Sequence, residues 1–175
     1  IAANIPANTP TTTVNIPVQI NVANHITLTA QAWSAFNAIE VVSGPAHGSL
    51  GAFTGTQILY TPSNGYVGTD SFTYRGKRTG GIAYDGDPQT ITINVLPPAP
   101  VITSATSATG TYNQAFSYLI TASNAPTSFD ASGLPPGLSV DSLTGSISGV
   151  ASQSGLFSVA ISASNSGGTG EATLS

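Results

Sequence analysis

Gly44 to Tyr74 reads GPAHGSLGAFTGTQILYTPSNGYVGTDSFTY, and its rhythm decides the fold class. Short apolar bursts (Ser49-Leu50, Ile58-Leu59-Tyr60, Tyr66-Val67, Phe72-Thr73-Tyr74) are each separated from the next by Gly, Pro, Asn or Asp. Bursts this short cannot make helices. They predict strands reversed roughly every eight residues, the spacing of a β-sandwich.

The flanking segments extend the pattern in both directions. Val18, Ile20 and Val22 face one way, with Gln19 and Asn21 the other; Ile26, Leu28 and Ala30 repeat this, and Ile39 and Val41 bracket Glu40. Beyond the central stretch, Ile91, Ile93 and Val95 alternate with Thr90, Thr92 and Asn94. Such alternation marks a strand with one buried face. Gln31 to Asn37 (QAWSAFN) stays ambiguous between a helical turn and a strand. Residues 1–10 carry two prolines and no periodicity, and read as a linker into a domain spanning 11–96. Leu96-Pro97-Pro98-Ala99-Pro100 is the clearest boundary, because consecutive prolines remove ladder donors and favour an extended spacer over 97–100.

The composition narrows the function classes. Only 6% of the 175 residues are charged, so Ser, Thr, Asn and Gln must wet the surface. The 40% hydrophobic content excludes a disordered polar tract. A net charge of −4 argues against nucleic acid as a partner, which calls for a basic field. Without cysteine there is neither a disulfide nor a thiolate metal site. No apolar run approaches the ~18 residues that cross a bilayer, so membrane insertion of this segment is not expected. The start at Ile1, with no signal-peptide pattern, reads as a segment of something longer.

The second domain, 101–175, has an internal echo. Phe116, Tyr118, Ile120 and Ala122 alternate with polar or outward residues, as do Phe157, Val159, Ile161 and Ala163. Between them lie GLPPGLSV (Gly133–Val140) and DSLTGSISG (Asp141–Gly149). Asp at the start and Gly at the end of DSLTG predict a type I turn closed by a left-handed residue, hence a hairpin. Asn165 to Gly170 reads as a last turn before a strand that starts at Glu171 and buries only Leu174, so this domain is expected to be cut short at its C-terminus.

Both halves resemble known families. Pro45-Ala46-His47-Gly48, Tyr60-Thr61-Pro62 and Gly68-Thr69-Asp70-Ser71-Phe72-Thr73-Tyr74 are similar to the motifs of bacterial cadherin-like Ig repeats. Ala122-Ser123-Asn124-Ala125-Pro126, Gly133–Leu138, Asp141–Gly149 and Ala163–Gly168 resemble an Ig-type family of bacterial surface proteins related to the cadherin-like domain of dystroglycan. The resemblance implies an all-β fold of two tandem Ig-like, cadherin-like β-sandwiches.

Candidate chemistry is sparse. His47 with Ser49 invites a nucleophile–base reading, but no Gly-x-Ser-x-Gly elbow is present, and the resemblance makes His47 part of a structural motif. Asp70 and Asp141 read as turn residues. Asp85 and Asp87 offer oxygens to calcium, which cadherin-like repeats often bind. Calcium wants six to eight oxygens, however, and Ala23-Asn24-His25 stands where such repeats carry an Asn-Asp pair. No cofactor is expected beyond that weak calcium candidate. Arg75, Lys77 and Arg78 hold every positive side chain and read as the opening of a long connection from Gly76 to Gln89. There they would either touch an anionic glycan or a partner domain, or cap a loop tip and discourage edge pairing. Trp33, with Tyr84, would stack on a sugar if exposed; buried, it fills the core.

The expectation is a non-catalytic stalk or weak adhesion segment of a large secreted or surface-displayed bacterial protein. Its partners would be neighbouring Ig-like domains of the same chain and a surface glycan or protein receptor. The competing expectation is a carbohydrate-binding accessory module of an extracellular polysaccharide-degrading enzyme. An exposed row of aromatics would favour the module, and buried aromatics the stalk.

Overall fold

The computed structural model describes residues 9–22, 38–78, 84–85 and 88–175. The chain divides into two compact units, Ile1–Leu96 and Pro97–Ser175. The regular structure is all β, and no described residue lies in an α-helix.

In the first unit, β1 (Thr11–Thr13), β8 (Gln89–Leu96), β6 (Gly68–Arg78) and β3 (Ala38–Ser43) form one sheet in that order, with β7 (Tyr84–Asp85) also on β6. β1 runs parallel to β8, and the β8–β6 and β6–β3 pairs are antiparallel. The facing sheet orders β2 (Val18–Asn21), β5 (Gln57–Pro62) and β4 (Gly48–Leu50). The alternations read from the sequence meet in the core: Phe72, Tyr74, Ile91, Ile93 and Val95 from one sheet, Ile20, Val22, Ile58 and Tyr60 from the other side. All are at most 1% exposed.

Several expectations need correcting. Tyr66-Val67 is no strand but part of the turn between β5 and β6. The Arg75-Gly76-Lys77-Arg78 segment is no loop opening: β6 runs to Arg78, because β3 and β7 continue its ladder. Val41 is 37% exposed, since the register slips between Val41 and Ser43 and the bulge turns the strand. Ile26, Leu28, Ala30 and the ambiguous 31–37 stretch lie outside the described residues.

The second unit packs β10 (Ser128–Ser132), β13 (Val159–Asn165) and β14 (Gly168–Leu174) against β11 (Leu138–Val140), β12 (Ser146–Val150) and β9 (Ala115–Leu119). Its core is Ile120, Ile147, Val159, Ile161 and Leu174, with Phe116, Phe129 and Phe157 packed around it. The DSLTG hairpin forms as read. Asp141 Oδ1 accepts the N–H groups of Leu143 and Thr144, and Gly145 adopts φ 74° and donates to the Asp141 carbonyl at 2.8 Å. These N–H groups hold the Asp141 carboxyl below the ordinary carboxylate range, Thr144 contributing most. The last turn is shorter than the sequence implies. Asn165 pairs with Gly168, so β14 starts there and runs against β13 along its length, burying Leu174 and partly Ala172. The chain end is tied down too, with Ser175 N–H donating to the Thr106 carbonyl at 3.0 Å.

Candidate interaction surface

The motif residues of the first unit converge on one carboxylate. Asp70 lies on β6 and is 5% exposed, so it is a buried strand residue rather than the turn residue expected. It accepts the N–H groups of Ala46 and His47 at 3.0 Å each and the Tyr60 hydroxyl at 2.9 Å. A buried carboxylate is tolerated only when hydrogen-bonded in this way. The three pieces read separately, Pro45–Gly48, Tyr60–Pro62 and Gly68–Tyr74, are thus one hydrogen-bonded knot. Burial, and next the hydrogen bond to Asp70, push the Tyr60 phenol well above its ordinary range.

His47 stacks flat on Tyr66, ring centroids 4.1 Å apart at 6°. Its carbonyl accepts the Ser63 N–H at 2.8 Å. His47 thus packs against the turn that separates β5 from β6. Gly48 has a steric reason as well: a Cβ there would sit 2.4 Å from the Tyr60 ring.

The second unit is built on two asparagines. Asn165 Nδ2 donates to the carbonyls of Pro98 (2.9 Å) and Asn124 (2.7 Å), while its Oδ1 accepts the Gly167 N–H. Asn124 Nδ2 donates to the Ala99 carbonyl at 2.7 Å. The proline segment read as a spacer is therefore hydrogen-bonded to the second unit. It lies so close that a Cβ on Gly167 would stand 1.8 Å from the Pro97 carbonyl oxygen.

Of the candidate binding residues, Arg75 and Lys77 come together across the β3–β6 pair. Glu40 accepts from Arg75 Nε and Nη2 at 2.9 and 2.8 Å through one oxygen, and from Lys77 Nζ at 3.2 Å through the other. These hydrogen bonds, Arg75's first, hold the Glu40 carboxyl below its ordinary value. The strip is about one-third exposed, a range in which ion pairs contribute roughly 0–1 kcal/mol. Arg78 and Tyr84 are opposite one another in register, as are Lys77 and Asp85, but the side chains of Arg78, Tyr84 and Asp85 lie outside the description. Trp33 and Asp87 also lie outside it. Among the described residues no three His, Asp or Glu side chains gather as a metal site would require.

Sequence reasoning missed the Asp70 knot. Its signal was the match itself: three motifs recurring together imply contact between them. The proline segment's docking carried a weaker signal, the glycines at 167 and 168.

No curated protein matches the chain. Among solved structures, an endo-fucoidan hydrolase of glycoside hydrolase family 107 aligns at 19% identity and a TM-score of 0.34. The alignment covers 78% of this chain and 22% of that one. The "Putative Ig domain" family matches residues 99–175, and the "Bacterial Ig domain" family matches residues 2–95. With that match covering more than half its length, the chain belongs to the bacterial Ig domain family.

Proposed function

We propose that this chain is a non-catalytic structural segment of a large secreted or surface-displayed bacterial protein. It acts as a stalk, or as a weak adhesion module, through its neighbouring Ig-like domains and a surface glycan or protein receptor. The observation that carries the reading is where the polar motif residues point. Asp70, Asn124, Asp141 and Asn165 each hold a turn or segment to its own unit. His47, the one described histidine, stacks on Tyr66 rather than facing a nucleophile. The aromatics argue the same way. Tyr60, Phe72 and Tyr74 are buried, and among the described aromatic residues only Tyr112 is exposed, at 60%. A polysaccharide platform calls for a row of exposed rings, so the accessory-module reading is second. Force spectroscopy of the chain between handles tests the stalk: two discrete unfolding events, one per unit, are expected. Retention of the isolated chain on a polysaccharide column, undiminished by Arg75→Ser with Lys77→Ser, would favour the module instead.

A further inference from the structure

The second unit is not closed on every side. Ala108 to Tyr112 and residues 151–157 face each other without joining a ladder, and a cavity of about 200 Å³ opens between them. Its floor is core: Ile147, Val159 and Leu174, none more than 5% exposed. Phe116, Leu138 and Phe157 line it as well. At the mouth Leu156 is fully exposed, beside Tyr112. Thr111, Gln153 and Ser154 are the polar side chains of the lining, together with the terminal Ser175.

We propose that this cavity is a binding site for one uncharged aromatic ring bearing a single small polar substituent, the chemistry of a phenol. The inference goes beyond the stalk reading and does not depend on it. Size sets the first limit: apolar cavities of about 150 Å³ stay dry and take up benzene, whereas drug-sized ligands need about 300 Å³ or more. Charge sets the second. The charged residues of this unit are Asp130, Asp141 and Glu171, none of which lines the cavity, so an ionic ligand would lose its hydration with no partner in return. Polarity sets the third. A sugar ring has hydroxyls on every edge, and the Ile147, Val159 and Leu174 floor has no side-chain donor or acceptor to meet them. One hydroxyl directed outward meets Thr111, Gln153 or Ser154 instead. The ring has two natural sources, a free phenol or a tyrosine side chain presented by another polypeptide.

The test is an amide-resolved NMR titration of the whole chain with p-cresol and, separately, with a short neutral peptide containing one tyrosine. Saturable shifts centred on Gly110, Gly155 and Leu174 are expected. Cresol binding without peptide binding identifies free phenols as the ligand; tighter binding of the peptide identifies the side chain. Ala151→Leu, which puts an isobutyl group on the wall, should lower affinity on the order of tenfold or more. If that variant unfolds the unit, Ala108→Val reduces the same space from another wall. The proposal is overturned if neither probe gives saturable shifts at millimolar concentration, or if the shifts fall elsewhere. It is equally overturned if filling the cavity leaves the affinity unchanged.

Discussion

The Asp70 carboxylate accepts the Tyr60 hydroxyl at 2.9 Å while receiving the main-chain N–H groups of Ala46 and His47. One buried acid thereby joins β6, β5 and the turn before β4. Removing it strands three donors, and each hydrogen bond to a charged group is worth about 1.5–3 kcal/mol. Asp70→Ala should therefore cost the first unit at least about 3 kcal/mol, lowering its melting temperature by more than ~10 °C. Asp70→Asn, which keeps one acceptor oxygen, should fall between that variant and the parent. Calorimetry resolving the two units checks both, and an Asp70→Ala melt equal to the parent's would exclude the knot as a source of stability.

Gly48 and Gly44 make a matched pair. A Cβ at Gly48 would lie 2.4 Å from the Tyr60 ring and 2.8 Å from the Thr61 carbonyl oxygen, while one at Gly44 meets nothing within 4 Å. Overpacking of this kind costs typically about 1–3 kcal/mol. Gly48→Ala should destabilise the first unit by that amount, and Gly44→Ala should be neutral or slightly stabilising. Equal denaturant midpoints for the two variants would contradict the packing argument.

The extent to which the sequence was legible follows from range. Period-2 alternation is local, so Ile91-Ile93-Val95 and Phe157-Val159-Ile161 were readable, and both deliver their residues to a core. Turn chemistry is local too, and DSLTG folds as its Asp and Gly dictate. What was not legible depends on partners distant in sequence. Asp70 looks like any turn Asp until residues 46, 47 and 60 are placed beside it. Arg75-Gly76-Lys77-Arg78 looks like a loop because charge and glycine favour turns. It is strand because Glu40 lies opposite Arg75 in register and also pairs with Lys77. The cavity in the second unit left no trace in the sequence, since it arises where two segments fail to pair.

Alkali should weaken the first unit through its two buried tyrosines. Burial raises the Tyr60 and Tyr74 phenols above their ordinary value, and for Tyr60 the Asp70 contact adds to it. In the unfolded chain both lose their protons near pH 10. Above that pH the unfolded state binds fewer protons than the folded one, so stability falls as pH rises. Below about pH 10 the contribution is fully present. Tyr74→Phe should flatten this loss, because the ring stays and only the hydroxyl to the Val22 carbonyl goes. Chemical denaturation between pH 8 and 11 checks the slope; a stability independent of pH in that window would refute the assignment.

Calcium should matter little to the first unit. Asp85 and Asp87 are two acids where the ion needs six to eight oxygens, and Ala23-Asn24-His25 supplies no further carboxylate. Melting temperatures in EDTA and in millimolar calcium should agree within a few degrees. A rise of ten degrees corresponds to about 1–3 kcal/mol of binding linkage and would require a site there.

The last prediction concerns the prolines between the units. Asn165 binds the Pro98 carbonyl, Asn124 binds the Ala99 carbonyl, and Gly167 lets the Pro97 carbonyl approach where any Cβ would collide. Proline has no N–H, so a segment rich in it can be held only through its carbonyls, and side-chain amides are suited to that task. Gly167→Ala places a methyl 1.8 Å from the Pro97 oxygen, so the segment must leave its seat or the β13–β14 turn must shift. Asn165→Ala removes two donated bonds without adding bulk, at about 0.5–1.5 kcal/mol each. Both should destabilise the second unit, and the melt of the first should not move. Amide exchange should also quicken in β13 and β14, which the turn joins. If Gly167→Ala leaves exchange in those strands unchanged, the proline segment is only a spacer and the asparagine contacts contribute nothing to the fold.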